Sequence, residues 1–327
     1  MNNINPSRAS APDSDSPHWE FAQALIKGLS AKPRQLPCKF FYDDIGSKLF
    51  DAICELPEYY PTRTEFGILR DHATEIAAHI GPYAEIVEFG AGSGHKVRLL
   101  LDTLDKPARY TPIDISGDHL TAAAAAIAAD YPALDVTPVI ADFTKPFGLP
   151  PAKGKTHRVG FFPGSTIGNF TPDDALHFLR NARGLLQGGG LLIGVDLVKQ
   201  PAILHAAYND AAGVTAAFNL NLLARARRDL GIDFKLENFS HYALYNPEAR
   251  RIEMYLVCTR AHRLELFGRV IDFAEGEAIH TEYSHKYTKA DFRKLAAAAG
   301  FHPGPVWTDS DGLFSLHWLQ ATEERSW

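Results

Sequence analysis

Along the middle of the chain two hydrophobic periods alternate. Short apolar runs of strand character, at Ala84–Phe89, 110–115, 135–141, 159–162 and 190–195, are separated by apolar positions at helical spacing, through Leu101, over 119–129 and over Pro172–Leu186. Thr171-Pro172 marks the start of the last of these helices. Strand and helix patterns that trade places in this way predict a parallel, doubly wound α/β sheet. Upstream, Ser16-Pro17 precedes Trp19, Phe21, Ala22, Leu25 and Ile26 at helical spacing. A second helix carries Leu49, Phe50, Ile53 and Cys54, with Ser47 as its expected cap. Pro57 and Pro61 break it, and Thr62 or Thr64 is expected to open the next, with Phe66, Ile68, Leu69, Ala73, Ile76 and Ala77 on its apolar side. Beyond residue 200 the pattern changes to helices over 203–210 and 214–229, then β-like runs at 241–245, 251–259, 262–267 and 278–286. A helix over 288–299 and a hairpin around Asp309-Ser310-Asp311-Gly312 close the chain.

The late α+β block suggests a second, smaller unit. The expected division is a loose tail over 1–16, one domain from 17–61 plus 200–286, and another from 62–199 plus 287–327. The tail is rich in Pro, Ser, Asn and Asp and has little apolar surface to offset its ordering entropy. With 327 residues, 46% hydrophobic and 22% charged, the remainder can build substantial cores. A net charge of −6 gives no electrostatic footprint for nucleic acid or an anionic membrane. No apolar run is long enough to span a bilayer, and no secretory signal precedes the first helix. Three scattered cysteines, Cys38, Cys54 and Cys258, lack metal-ligand spacing and suit a reducing cytoplasm.

Ligands on doubly wound sheets lie at the carboxyl ends of the strands. There the chain carries Glu88-Phe89-Gly90-Ala91-Gly92-Ser93-Gly94-His95-Lys96, an acidic residue and three alternate glycines between strand and helix. Glycine tolerates positive φ and lacks Cβ, so a ligand can lie on the backbone, facing the unpaired N–H groups of the helix start. A dinucleotide fingerprint would need glycine at position 95, where His95 stands, which weakens the reading as an NAD-linked dehydrogenase. The form E-x-G-x-G-x-G resembles the first motif of Rossmann-like S-adenosylmethionine (SAM) methyltransferases.

Asp114 ends the second strand, where a carboxylate suits a ribose diol. Asp142 and Phe143 offer an acceptor and a ring for an adenine. Lys96 is either a surface lysine or a partner for the methionine carboxylate of SAM. After the fourth strand, Gly164-Ser165-Thr166-Ile167-Gly168-Asn169 ends in an amide that can serve an ammonium and a carboxylate together, or make a local turn. Tyr59 and Tyr60, between the two prolines, either meet a ligand or pack on the core. In Thr281-Glu282-Tyr283-Ser284-His285, Glu282 and Ser284 share one strand face, and an acceptor beside a hydroxyl can grip an imidazole, or simply line a polar surface.

These motifs, with Phe41-Tyr42-Asp43, Leu56-Pro57-Glu58-Tyr59-Tyr60-Pro61-Thr62-Arg63, the stretch from Tyr208 to Asn219, and Ile252-Glu253-Met254, together resemble the SAM-dependent L-histidine Nα-methyltransferase family of ergothioneine biosynthesis. The likeness runs from about residue 37 to the C-terminus. It implies a Rossmann-like class I SAM methyltransferase domain with a smaller α+β substrate-binding domain, and successive methylation of histidine to N,N,N-trimethylhistidine (hercynine). It implies that Gly90, Lys96, Asp114, Asp142 and Phe143 hold SAM. Tyr59, Asn169 and Tyr208 would hold the amino-acid end of histidine, Glu282 and Ser284 the imidazole, with Met254 shaping that pocket and Tyr42 on a closing loop. Tyr283 and His285 depart from the family pattern but face the other way. The implied cofactor set is SAM without a metal, and the partners are histidine and its methylated forms. A monomer is compatible with the chain. The rival readings are a methyltransferase for tryptophan or another aromatic amino acid, and a SAM-binding regulatory module without catalysis.

Overall fold

Alternation along one strand decides the architecture. In Ala84–Phe89, Ala84 and Ile86 point into one core and Val87 and Phe89 into another, so this strand is buried on both faces. The structure is a computed structural model that describes residues 11–321 apart from Lys153, Lys155 and Gln187. The first ten residues of the expected tail lie outside the described residues.

The strand belongs to a sheet in the order Phe301–Thr308, Phe314–Ala321, Gly190–Asp196, His157–Phe162, Ala84–Phe89, Arg109–Asp114, Asp135–Val136, with Val139–Ile140 also pairing to Arg109–Asp114. From Gly190–Asp196 to Asp135–Val136 the pairs are parallel, and Phe314–Ala321 returns antiparallel. One core packs Ile68, Leu69, Ile76, Val97, Leu100 and Ile127 from helices Tyr60–Asp71, Ala73–Ile80, His95–Leu101 and Gly117–Asp130. The other takes Phe178, Leu179, Phe292 and Ala296 from Pro172–Leu186 and Lys289–Ala298. The predicted third strand is broken in two around Pro138, since a proline cannot donate to the ladder.

The chain divides into two compact units. The sheet above dominates the second, which comprises Cys54–Leu204, Asn246–Arg251 and the chain from Tyr283 onward. The first comprises the chain up to Ile53, His205–Tyr245 and Ile252–Glu282. Its sheet runs Arg34–Gln35, Ala278–His285, Arg251–Cys258, Phe239–Asn246. A separate hairpin pairs His262–Leu266 with Arg269–Phe273. Its turn puts Phe267 and Gly268 at φ 48° and 77°, the two positive values a tight hairpin needs. A phenylalanine in that role hid the second strand from sequence reading.

Two helix starts differ from expectation. Ser47 is not a cap: the helix begins at Asp44, and the Asp43 carboxylate accepts from Gly46 N at 2.7 Å. Asp43 also receives Asn221 Nδ2 at 2.9 Å, so the cap is tied to helix Val214–Leu230. Neither Thr62 nor Thr64 opens the following helix. It starts at Tyr60, with Pro61 in its first turn, where the missing N–H costs nothing.

His317 lies in the second unit with no exposed surface. Its Nε2 lies 3.0 Å from Ser315 Oγ, while Nδ1 has no hydrogen-bond partner among the described residues. Burial first, then Arg293 and Lys289, push its titration down to about 3. An unfolded imidazole titrates near 6.5, so the folded chain binds fewer protons between those values. Stability is therefore complete above about pH 6.5 and declines as the pH falls toward 3, by at most about 1.4 kcal/mol per pH unit from this group. Thermal unfolding of the wild type and His317→Leu across pH 4–8 should show a shallower acid slope in the variant.

Candidate functional site

The glycine turn forms as its sequence requires. Gly90, Gly92 and Gly94 have φ of 71°, 52° and 69°, values that a side chain would strain. Gly90 N and Ala91 N donate to the Ile113 carbonyl at 2.8 and 3.1 Å, which moors the turn to the next strand. A Cβ at Gly92 would meet nothing within 4 Å, so this backbone is open to a ligand.

Asp114 stands beside that opening. Its Oδ2 accepts from Gly92 N at 3.2 Å and its Oδ1 from Ser116 N at 3.0 Å. The strand end, the glycine turn and the next helix start are therefore fixed by one carboxylate. Phe143 lies 3.5 Å from where a Gly90 Cβ would sit. Its ring also packs edge-on against Phe89 and Phe162, with centroids 6.3 and 5.7 Å apart. Asp142 accepts from Thr144 N at 3.1 Å. Gly90, Asp114 and Phe143 thus converge at the carboxyl edge of the sheet, an acceptor, a ring and bare backbone that fit an adenosyl group.

Lys96 is anchored by a buried carboxylate. Its ammonium is 2.6 Å from Glu65 Oε2, and the Glu65 side chain has no exposed surface. Glu65 also accepts from Gly164 N at 2.9 and 3.1 Å. One buried carboxylate thus joins the helix after the glycine turn to the loop after the fourth strand. Sequence reading missed Glu65, although a signal existed: it sits one helical turn before Ile68 and Leu69, on the apolar side. Gly194 makes room for it, since a Cβ there would lie 2.1 Å from Glu65 Oε1.

Glu88, the acidic residue of the glycine motif, is also buried. Tyr110 donates to its carboxylate. Burial outweighs that bond and the nearby Lys96, and pushes Glu88 up to about 8.

Gly164 and Ser165 turn the chain with φ of 76° and 56°. Ser165 Oγ accepts from Asp196 N at 2.9 Å. Asn169 ends the short helix Thr166–Asn169. His285 Nδ1 donates to the carbonyl of Gly168 at 2.9 Å, and a Cβ on Gly168 would lie 2.9 Å from the His285 carbonyl oxygen. His285, set aside in the sequence as facing away, holds the Asn169 loop.

Below that loop lies a buried ionic cluster. Asp196 accepts from Lys286 Nζ at 2.7 Å, Lys199 Nζ at 2.5 Å and the Tyr60 hydroxyl at 2.7 and 2.9 Å. Lys286 also donates to Ser284 Oγ at 2.7 Å. Burial works against the Asp196 carboxylate, but the two ammoniums outweigh it and hold it below the usual range. Burial drives Lys199 down to about 8 against the pull of Asp196. Tyr60 is therefore spoken for by structure, whereas its neighbour Tyr59 is 8% exposed in the turn before the helix.

The remaining predicted residues belong to the first unit. Tyr42 packs edge-on to Phe50 and Phe218, with centroids 5.7 and 5.8 Å apart. Tyr208 ends helix Pro201–Tyr208, and its carbonyl accepts from His241 Nε2 at 2.8 Å. Met254 is buried on Arg251–Cys258, and its carbonyl accepts from Thr281 Oγ1 at 3.2 Å. Glu282 is 8% exposed on Ala278–His285. Burial and then the Glu282 charge push the Cys38 thiol up to about 12, which makes Cys38 an inert neighbour of that carboxylate. Among the described residues no group of three or more His, Cys, Asp and Glu could hold a metal ion.

A parallel sheet in this order, with a glycine turn after its central strand and a carboxylate ending the adjacent one, is the framework of a class I SAM methyltransferase. The sequence profile of the family described as "Histidine-specific methyltransferase, SAM-dependent" matches residues 21–321. The chain belongs to that family. It is 44% identical to a histidine N-alpha-methyltransferase of Mycolicibacterium smegmatis, covering 88% of this chain and 91% of the relative. It is 40% identical to the Mycobacterium tuberculosis protein of the same name, covering 92% and 95%. Ergothioneine biosynthesis protein 1 of Neurospora crassa is 32% identical over 88% of this chain, which spans 33% of that protein.

Removing the Glu65 carboxylate should expose how much rests on it. Glu65→Ala leaves the Lys96 ammonium and Gly164 N–H without their partner and should cost about 3–5 kcal/mol. Glu65→Gln, which keeps an acceptor, should recover part of that loss in urea unfolding.

Proposed function

We propose that this chain transfers methyl groups from SAM to the α-nitrogen of L-histidine, in successive steps to N,N,N-trimethylhistidine, the entry to ergothioneine. The observation that carries the reading is the family match across residues 21–321 together with an intact Glu282–Ser284 pair. The second unit serves as the SAM-binding domain and the first as the substrate-binding domain. Gly90, Asp114, Asp142 and Phe143 receive SAM, and Lys96 acts on its methionine end while paired to Glu65. Tyr59, Asn169 and Tyr208 take the amino-acid end of histidine. Glu282 and Ser284 take the imidazole, beside Met254, with Tyr42 covering the substrate.

SAM supplies a carbon already activated by its sulfonium. What remains for the protein is alignment, with donor and acceptor atoms held roughly 3–3.5 Å apart and in line. The α-amine must reach the reaction without its extra proton, since an ammonium has no lone pair. The reaction written this way uses SAM and no metal. The sparse, odd cysteine count supports a cytoplasmic setting. Among the described residues no helix is long and apolar enough to cross a membrane.

Glu282 sets the selectivity. Facing an apolar ring, a buried carboxylate loses its partner at a cost of about 1–3 kcal/mol. Incubation with SAM and a panel of amino acids, read by mass spectrometry, should show methyl incorporation into histidine and little into phenylalanine, leucine or tryptophan. Glu282→Ala should lower kcat/KM for histidine by about 10- to 100-fold. Full histidine activity in that variant would remove Glu282 from the site. Asp114→Ala should weaken SAM binding, measured by calorimetry, without altering the choice of amino acid.

A further inference from the structure

Lys286 has no role in the reading above, yet it is among the most buried charges in the second unit. Its side chain is 1% exposed, as is that of Asp196, and its Nζ lies 2.7 Å from both Asp196 Oδ2 and Ser284 Oγ. An ammonium has donors only. Ser284 Oγ is therefore the acceptor in that bond, and the direction of the hydroxyl follows. An oxygen that receives an ammonium N–H turns its own proton away from it and toward further partners, with one lone pair left in place of two. Glu282, two residues earlier on the same strand, offers acceptors only when ionised.

We propose that Lys286 is a positioning residue that fixes the Ser284 hydroxyl as a donor, so that the Glu282–Ser284 pair selects a neutral imidazole over an imidazolium. This rests on the histidine reading and deepens it. A neutral imidazole has one N–H for Glu282 and one lone pair for Ser284. An imidazolium has two N–H groups and sets one against the hydroxyl proton. Indole has an N–H and no lone-pair nitrogen, so the same device disfavours tryptophan.

The neighbours of Lys286 make the assignment firm. Asp196 faces it from Gly190–Asp196, with Tyr60 and Lys199 on the same carboxylate. Lys199 donates to Tyr60 OH at 2.7 Å and feels Asp309 through space. On either side of it in the chain, His285 is committed to Gly168 and Tyr287 is a buried phenol pushed up to about 12. Cys38 lies beside Glu282 with its thiol protonated. Lys286 thus meets one carboxylate directly, and Lys199 and Tyr60 still bond Asp196 when Lys286 is removed.

The test is histidine binding by calorimetry in the presence of S-adenosylhomocysteine between pH 5 and 7, where the ligand's ring titrates and its α-ammonium does not. Wild-type affinity should fall about tenfold per pH unit below about 6.5. In Lys286→Met, binding at pH 7 should weaken about tenfold and the acid slope should flatten, with SAM KM unchanged and kcat nearly so. Lys286→Arg, which restores a donor, should restore the slope. A Lys286→Met variant with wild-type affinity and slope overturns the proposal, as does an equal loss in SAM KM. If that variant does not fold, the wild type decides by ¹⁵N NMR of bound, labelled histidine at pH 5.5. A ring with one protonated nitrogen supports the proposal, and a doubly protonated ring overturns it. Absence of methyl transfer to histidine would instead remove the underlying reading.

Discussion

The carboxylate of Asp196 is the constraint on which the working edge of the second unit depends. It ends the strand Gly190–Asp196 and is almost fully buried. Two ammoniums and a phenol converge on its two oxygens, from the turn that follows, from the end of Ala278–His285 and from the first residue of helix Tyr60–Asp71. Its backbone N–H is also bonded, to Ser165. Removing a partner from a buried ion group costs more than the group contributed while intact. Segments distant in sequence are thereby forced to one register at the sheet edge where chemistry is expected. Hydrophobic burial alone could not impose this, since it is not directional.

Glu65 repeats the device on the other side of the glycine turn. It has no exposed surface, and it binds Lys96 and Gly164 N. The turn, the loop after the fourth strand and the helix at residue 60 are consequently one framework. The charges differ in outcome. Glu65 and Lys96 neutralise each other, whereas Asp196 is outnumbered by Lys199 and Lys286. Burial first, and then the Lys286 charge, bring Lys199 down to about 8 against the pull of Asp196, and the Leu197 carbonyl accepts from Lys199 as well.

Much of this was legible in the sequence. A short apolar run gave Ala84–Phe89 with its observed bounds, and parallel pairing followed from the strands alternating with helices. The glycine turn, Asp114 and Phe143 were legible because strand ends on one edge of such a sheet must be neighbours. The helix starts were misread because their satisfying groups lie elsewhere in the chain: Asp43 answers to Asn221, and Tyr60 to Asp196. Glu65, Asp196, Lys199 and Lys286 were not recognised as a framework, because each is an ordinary charged residue until the fold brings its partner. Pattern reading sees which residues are apolar. It does not see which polar residues will be buried together.

That difference has a direction. In the second unit, polar residues that pattern reading passed over hold the candidate residues it named. Lys286 aims Ser284, His285 holds the loop that carries Asn169, and Glu65 holds Lys96. A serine's hydroxyl can donate or accept, and an amide on a free loop can take many orientations, so neither is selective alone. Burying a donor-only ammonium against the serine, and a histidine against the loop backbone, removes that freedom before any ligand arrives. The desolvation cost of those buried groups is borne by the folded state. It is offset only because the cluster is closed, with each charge meeting an opposite charge or a dipole at hydrogen-bond distance. The candidate residues are thus held by groups that need never touch a ligand.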